Sequence, residues 1–271
     1  MPELPEVETT RRGITAHITG QKIERVQLRE TRLRWPITKQ FGNQLALQTI
    51  INVTRRAKYL LFELPNGFFM LHLGMSGSLR ITEQNEPLRK HDHIVIVFAN
   101  KKSLRFNDPR RFGCALWLGK DPYQHSLLKF LGPEPFDESF NADYLFLRAK
   151  KRKAAIKNFI MDNKIVVGVG NIYANEALFM SGIRPRKAAG RITRQQFAIL
   201  VDNIKKVLEQ SISMGGSTLR DFVGGDGKPG YFQQTLRVYG RAGEPCIHCE
   251  TSIKQIIIGQ RSSFYCPACQ H

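Results

Sequence analysis

Tyr59-Leu-Leu-Phe-Glu-Leu-Pro-Asn-Gly-Phe-Phe-Met-Leu-His72 is the stretch that decides the fold. Two apolar runs, residues 59–64 and 68–73, flank Pro65-Asn66-Gly67, and turn residues between apolar runs of that length predict an antiparallel hairpin. Working outward, residues 22–28, 46–55, 93–98, 103–107 and 115–118 also read as strands, with a second, weaker turn signal at Asn100-Lys101-Lys102. So many short strands within about a hundred residues predict a β-sandwich or barrel. Before them, Val7, Arg11, Ile14 and Ile18 fall at helical spacing and Gly20 is a stop, which predicts a helix over 4–19 packed against the strands.

Gly132-Pro133-Glu134-Pro135 can continue neither a ladder nor a helix and marks a linker. Beyond it the pattern is helical, most clearly in Phe197, Leu200, Val201, Ile204, Val207, Leu208 and Ile212, the spacing of one buried face. Residues 214–230 hold six glycines, too many for a stable helix, and predict a mobile functional loop.

The chain of 271 residues is 42% hydrophobic and carries 41 Lys and Arg against 23 Asp and Glu, a formal charge of +18. Such an excess fits a polyanionic partner, nucleic acid foremost, although a ribosomal or membrane-surface protein would share it. No apolar run approaches membrane-span length and the N-terminus lacks the character of a leader, so a cytoplasmic location is expected and no membrane partner.

Four groups of residues carry chemical meaning. The first is Met1-Pro2-Glu3: if Met1 is removed, Pro2 exposes a secondary amine, roughly a tenth of it neutral at pH 7, far more than for a lysine. The positive end of a helix would lower that amine pKa while Glu3 and Glu6 would raise it. The second group is Cys246-Ile-His-Cys249 with Cys266-Pro-Ala-Cys269, two C-x2-C pairs separated by sixteen residues. This spacing reads as one tetrahedral structural zinc ion, with Ile256–Ile258 and Phe264-Tyr265 as a closing hairpin and His248 a poorer ligand. The third is Gly168-Val-Gly170-Asn171, a turn that delivers Asn171 to a helix start, where it can serve as cap and phosphate donor together; a tight helix junction without a ligand would use the same residues. It follows a basic run, Lys150, Lys151, Arg152, Lys153, Lys157 and Lys164. The fourth is Asp108-Pro-Arg110-Arg111-Phe112-Gly113, a turn presenting two guanidinium groups and a ring, suited to phosphate contact and to wedging between bases. His91 and His93 share one strand face but are not read as a metal site, and Cys114 reads as a small buried apolar residue.

Together these residues resemble the formamidopyrimidine-DNA glycosylase family, bifunctional glycosylases and apurinic-site lyases of bacterial base-excision repair. The resemblance spans the chain: PELPEVET at 2–9, RRAKYL at 55–60, HLGMSGSLR at 72–80, KHDH at 90–93, DPRRFG at 108–113, LGPEP at 131–135, VGVGNIYANEALF at 167–179, DGKPGYF at 226–232 and the terminal cysteine pairs. It implies an α+β fold: a catalytic antiparallel β-sandwich with its N-terminal helix over 1–131, a helix-two-turns-helix DNA-binding domain over 132–236, and a zinc-ribbon β-hairpin over 237–271. It further implies that Pro2 is the nucleophile, Glu3 the acid and base, and Lys58 and Arg261 the groups assisting strand cleavage. His91, Arg110, Lys151 and Asn171 would contact DNA, with Arg111 in support. Met75, Arg110 and Phe112 would fill the gap left by a flipped lesion, and residues 215–226 would close over the base. The expected partner is damaged double-stranded DNA, the expected state a monomer. Two other readings stand beside it: an endonuclease VIII-type enzyme for oxidised pyrimidines, against which Leu4 and the long glycine-rich loop weigh, and a non-catalytic zinc-ribbon nucleic-acid binder.

Overall fold

The structure, a computed structural model, describes residues 2–216 and 235–271. These form two compact units, residues 2–129 with 214–216, and residues 130–213 with 235–271.

The first unit is a sandwich of two four-stranded antiparallel sheets. One holds β1 (Ile23–Leu28), β6 (Asp92–Phe98), β7 (Lys102–Asn107) and β5 (Ser78–Glu83) in that order, the other β2 (Asn52–Arg56), β3 (Tyr59–Leu64), β4 (Gly67–His72) and β8 (Cys114–Gly119). The predicted hairpin is β3–β4, closed by Leu64 opposite Gly67. In its register Phe62 opposes Phe69, and the two rings stack at 4.3 Å. Gly67 has φ +147 and a Cβ there would lie 2.6 Å from the Gly119 backbone, so the β4–β8 edge requires glycine. Alternate residues of both sheets, among them Leu60, Phe62, Phe69, Ile94, Ile96 and Leu104, form one core. Helix α1 (Leu4–Ile18) adds Val7, Ile14 and Ile18 to it and packs on β2 and β5, one strand from each sheet.

Three expectations for this unit need correction. Residues 46–51 are not strand: Leu47 adopts a left-handed φ of 65, and only Asn52–Arg56 pairs with β3. The helix α2 (Phe41–Leu45), five residues long, was not foreseen. Nor was β5, whose alternation is masked because its buried residues include Arg80, tied to Asp92 at 2.9 Å.

The second unit is helical with a β-hairpin. Its helices are α3 (Ala142–Ala149), α4 (Ile156–Met161), α5 (Asn171–Met180) and α6 (Arg194–Ser213). Helix α6 packs on α3 and α5, and α4 packs on α5. The buried face of α6 is the predicted one, except that Ser211 lies inward, bonded to the Tyr173 hydroxyl at 2.6 Å, and Ile212 is half-buried. The hairpin of β9 (Lys254–Ile258) and β10 (Arg261–Tyr265) turns on Gly259 and Gln260, both at positive φ (55 and 61), as a two-residue turn of the primed kind requires.

Candidate functional site

Helix α1 begins with Glu3 as its N-cap residue and two prolines near the start, Pro2 and Pro5. The Glu6 carboxylate reaches back to the Glu3 amide at 2.8 Å, half of a capping box that fixes the path of the chain into the helix. Pro2 and Glu3 are both buried. On the second sheet, Lys58 follows Ala57, a left-handed residue (φ 54) in the tight turn joining β2 to β3. The Arg55 guanidinium donates to the Ala57 carbonyl at 2.8 Å and holds that turn. Lys58 is largely buried, and its charge is felt by His72.

Asp108 organises the basic turn. Its carboxylate accepts from the Ser76 hydroxyl at 3.0 Å and from the amides of Arg110 and Gly113 at 3.3 and 2.8 Å. Its own amide donates to the His91 carbonyl, and its carbonyl lies 2.7 Å from His93 Nε2. His91, half-buried, is therefore tied through the main chain to the turn bearing Arg110, and His93 is occupied in holding that turn. Met75 and Phe112 are exposed, and the Arg110 guanidinium lies 5.0 Å over the Phe112 ring. Arg111 sits at φ 57 and pairs with Glu30 at 2.9 Å. Gly74, at φ +66, allows the two turns to meet, since a Cβ there would stand 2.5 Å from the Gly113 nitrogen.

In the helical unit, Lys151 is exposed at φ 60 just past the end of α3, a left-handed helix terminator. Asn171 departs from expectation. Gly170 is the N-cap of α5, and Asn171 occupies the first helical position with its side-chain amide donating to the Ser262 carbonyl at 3.1 Å. Lys157 departs too, because it is fully buried: its Nζ donates to the Ser262 carbonyl at 2.8 Å and to Ser263 Oγ at 2.6 Å. Asn175 accepts from the Phe264 amide at 2.7 Å. Three polar side chains of α4 and α5 thus clamp the strand that carries Arg261, which is itself exposed.

Glu176 is a buried structural charge with no counterpart in the sequence expectations. Its carboxylate, fully buried, accepts the main-chain amides of Arg237, Val238 and Tyr239 at 2.9 Å each. Its only sequence signal was a charge on an otherwise apolar helix, Ile-Tyr-Ala-Asn-Glu-Ala-Leu-Phe. Residues 217–226 of the predicted closing loop lie outside the described residues.

The four cysteines converge. Their sulfurs lie within 4.8 Å of one another, three of the separations being 3.4, 3.5 and 3.9 Å. A tetrahedral centre with bonds of about 2.3 Å sets its sulfurs roughly 3.8 Å apart, so the donor set fits one zinc ion. The His248 amide points at Cys246 Sγ and the Cys269 amide at Cys266 Sγ, as suits ligating thiolates. The His248 ring instead stacks on Phe179 at 5.4 Å. Four protein ligands leave the ion no open position, so it is structural.

The chain matches the family models described as formamidopyrimidine-DNA glycosylase N-terminal domain over residues 1–115, the H2TH domain of the same enzymes over 131–223, and a zinc finger found in FPG and IleRS over 243–271. It is 56% identical over 270 residues to the formamidopyrimidine-DNA glycosylase of Hahella chejuensis and 57% to that of Thioalkalivibrio sulfidiphilus, each covering 100% of both chains. Among solved structures it resembles a mutant of the Lactococcus lactis enzyme bound to Fapy-dG-containing DNA (TM-score 0.93, 34% identity, 100% of each chain covered). It also resembles the wild-type Lactococcus lactis protein with an oxidised-pyrimidine-containing DNA (TM-score 0.91, 34% identity, 100% of each chain). The chain belongs to the formamidopyrimidine-DNA glycosylase family.

Proposed function

We propose that this enzyme excises oxidised purines, 8-oxoguanine and formamidopyrimidines, from duplex DNA and then cuts the strand at the resulting site. The observation that carries the reading is Pro2 buried at the head of α1 beside Glu3, whose main chain is fixed by Glu6. After removal of Met1 the Pro2 nitrogen attacks the anomeric carbon of the damaged nucleotide; the bond to the base breaks and the base departs with a proton. Opening of the sugar gives an iminium, which a secondary amine forms without an N–H to lose, so it serves as the electron sink for two successive eliminations. Glu3 moves protons at the sugar, Lys58 assists the first elimination and Arg261 the second. His91, Arg110, Lys151 and Asn171 engage the DNA, Arg111 steadies its turn, and Met75, Arg110 and Phe112 occupy the space vacated by the flipped nucleotide. The working form is a cytoplasmic, nucleoid-associated monomer, with residues 1–131 catalytic, 132–236 gripping DNA and covering the base, and 237–271 carrying Arg261.

Borohydride reduction of a mixture with duplex containing 8-oxoguanine opposite cytosine tests this. The expected product is a covalent complex with the adduct on the Pro2 nitrogen. An adduct on an internal lysine, or none with zinc-replete protein, overturns it. A form that retains Met1 has a tertiary amide at that nitrogen and is expected to bind DNA without cutting it. The Lactococcus lactis complex with an oxidised-pyrimidine-containing DNA favours a second reading, in which oxidised pyrimidines are also substrates; a lesion panel in the same assay ranks the two.

A further inference from the structure

We propose that a pocket in the sandwich unit, bounded by Arg34, Trp35, Tyr59, His72, Phe112 and Cys114, binds a planar nucleobase rich in carbonyl oxygens. Its volume is about 170 Å³, below the roughly 300–1,000 Å³ of sites for drug-sized ligands, which leaves room for a single ring system. Three of the side chains lining it carry hydrogen-bond donors: Arg34, Tyr59 and His72. Among the described residues the Arg34 and Tyr59 side chains make no hydrogen bond or ion pair, and His72 is bonded only at Nδ1, by the Gly74 amide at 3.0 Å.

The tautomer of His72 follows from its neighbour. The Gly74 amide donates to His72 Nδ1 at 3.0 Å, so the ring proton sits on Nε2. Burial, then the charges of Lys58 and Arg34, push its pKa down to about 4, so the ring is a neutral donor at physiological pH. Burial also raises the Tyr59 hydroxyl and pushes the Cys114 thiol up to about 12, which keeps both protonated. Among the described residues no carboxylate lines the pocket. It therefore offers protons and positive charge, and its complement is a ligand made of acceptors.

Ring content decides between acceptors. Trp35, Tyr59, His72 and Phe112 give four aromatic walls, with the Tyr59 and His72 rings 4.9 Å apart. A phosphate would satisfy the donors and leave those faces idle, whereas an oxo-substituted base uses its edge for the donors and its faces for the rings. Such a base has two sources: a nucleotide of bound DNA, or the free base after excision. The choice of base rests on the reading of the chain as a base-excising enzyme. Binding is measured without DNA and without turnover, so its failure is distinct from failure of borohydride trapping.

The test uses full-length zinc-loaded protein labelled with 5-fluorotryptophan. The chain has two tryptophans, Trp35 at the pocket and Trp117 packed on the sandwich core, so one fluorine resonance reports and the other is a control. Titration with uric acid, an 8-oxopurine, is expected to shift the Trp35 signal saturably and leave Trp117 unmoved. Arg34→Met is expected to weaken binding about tenfold, the loss of one charge-assisted hydrogen bond, and Tyr59→Phe to weaken it less. Inorganic phosphate at equal concentration should leave Trp35 unshifted. Lesion-free duplex added to the urate complex assigns the source: displacement supports a DNA base as occupant, retention supports the free base. No Trp35 shift up to the solubility of urate, a response unchanged in both variants, or the same shift with phosphate overturns the proposal.

Discussion

Glu8 gathers three guanidinium groups on one carboxylate, Arg11 and Arg12 from its own helix at 2.8 Å each and Arg55 from β2 at 3.3 Å. Burial alone would push this carboxyl up; hydrogen bonds from Arg11 and Arg12 with the charges of Arg11 and Arg55 outweigh it and hold the pKa at about 2. A carboxylate whose pKa drops on folding contributes stability that is present above its unfolded value of 4.5 and is lost as pH falls through the folded one. Glu8→Gln should therefore lower the unfolding free energy at pH 7 by about 1 kcal/mol, solvent access screening the rest. Urea titrations between pH 4.5 and 2 should show the gap to the parent closing as Glu8 takes up its proton. Residues of this kind mark the limit of what the sequence shows. The four cysteines are legible because ligand spacing is local, whereas Lys157 reads as one more member of a basic run although it is buried and holds Ser262 and Ser263. Its role depends on a partner about a hundred residues away, and no local pattern encodes that.

At the level of elements, the two turns that display Met75 and Phe112 depend on a backbone approach that leaves no room for a methyl group. Gly74→Ala places a Cβ 2.5 Å from Gly113 and Phe112 main-chain atoms at a positive φ, and should cost about 2–4 kcal/mol by thermal unfolding. Lesion-containing DNA should be bound more weakly than the stability loss alone explains, because both turns move. The zinc hairpin makes a separate prediction. Chelation should raise hydrogen exchange across Lys254–Ile258 and Arg261–Tyr265 and leave the sandwich strands protected, since among the described residues the hairpin core is Phe179, Val238, Ile253, Phe264 and two ligand cysteines with a few partly buried neighbours. Loss of protection in the sandwich instead would show that the metal supports more than its own module. Helix α1, the β3–β4 hairpin and α6 were legible because apolar spacing repeats within each. Strand β5 was not, since Arg80 takes an inward place there, and Asn171 was misread as a cap because its side chain serves a distant carbonyl.

For the molecule as a whole, the formal charge of +18 should appear as salt dependence. A log–log plot of duplex affinity against salt should have a slope steeper than about −4, as expected when several phosphates are neutralised; a shallow slope would mean a small contact surface. Charge named the partner class from composition alone, but the division of the chain into two units could not be read from it. The cysteine inventory has one more consequence. Of five cysteines, four form the metal quartet, and the remaining one, Cys114, is buried with its thiol pushed up to about 12. It should be inert to alkylating reagents at neutral pH. Counting labels with an iodoacetamide dye then gives a stoichiometric gauge of metal loading, stepping from none to four per chain with no background from the fifth sulfur, so a preparation can be graded before any DNA is added.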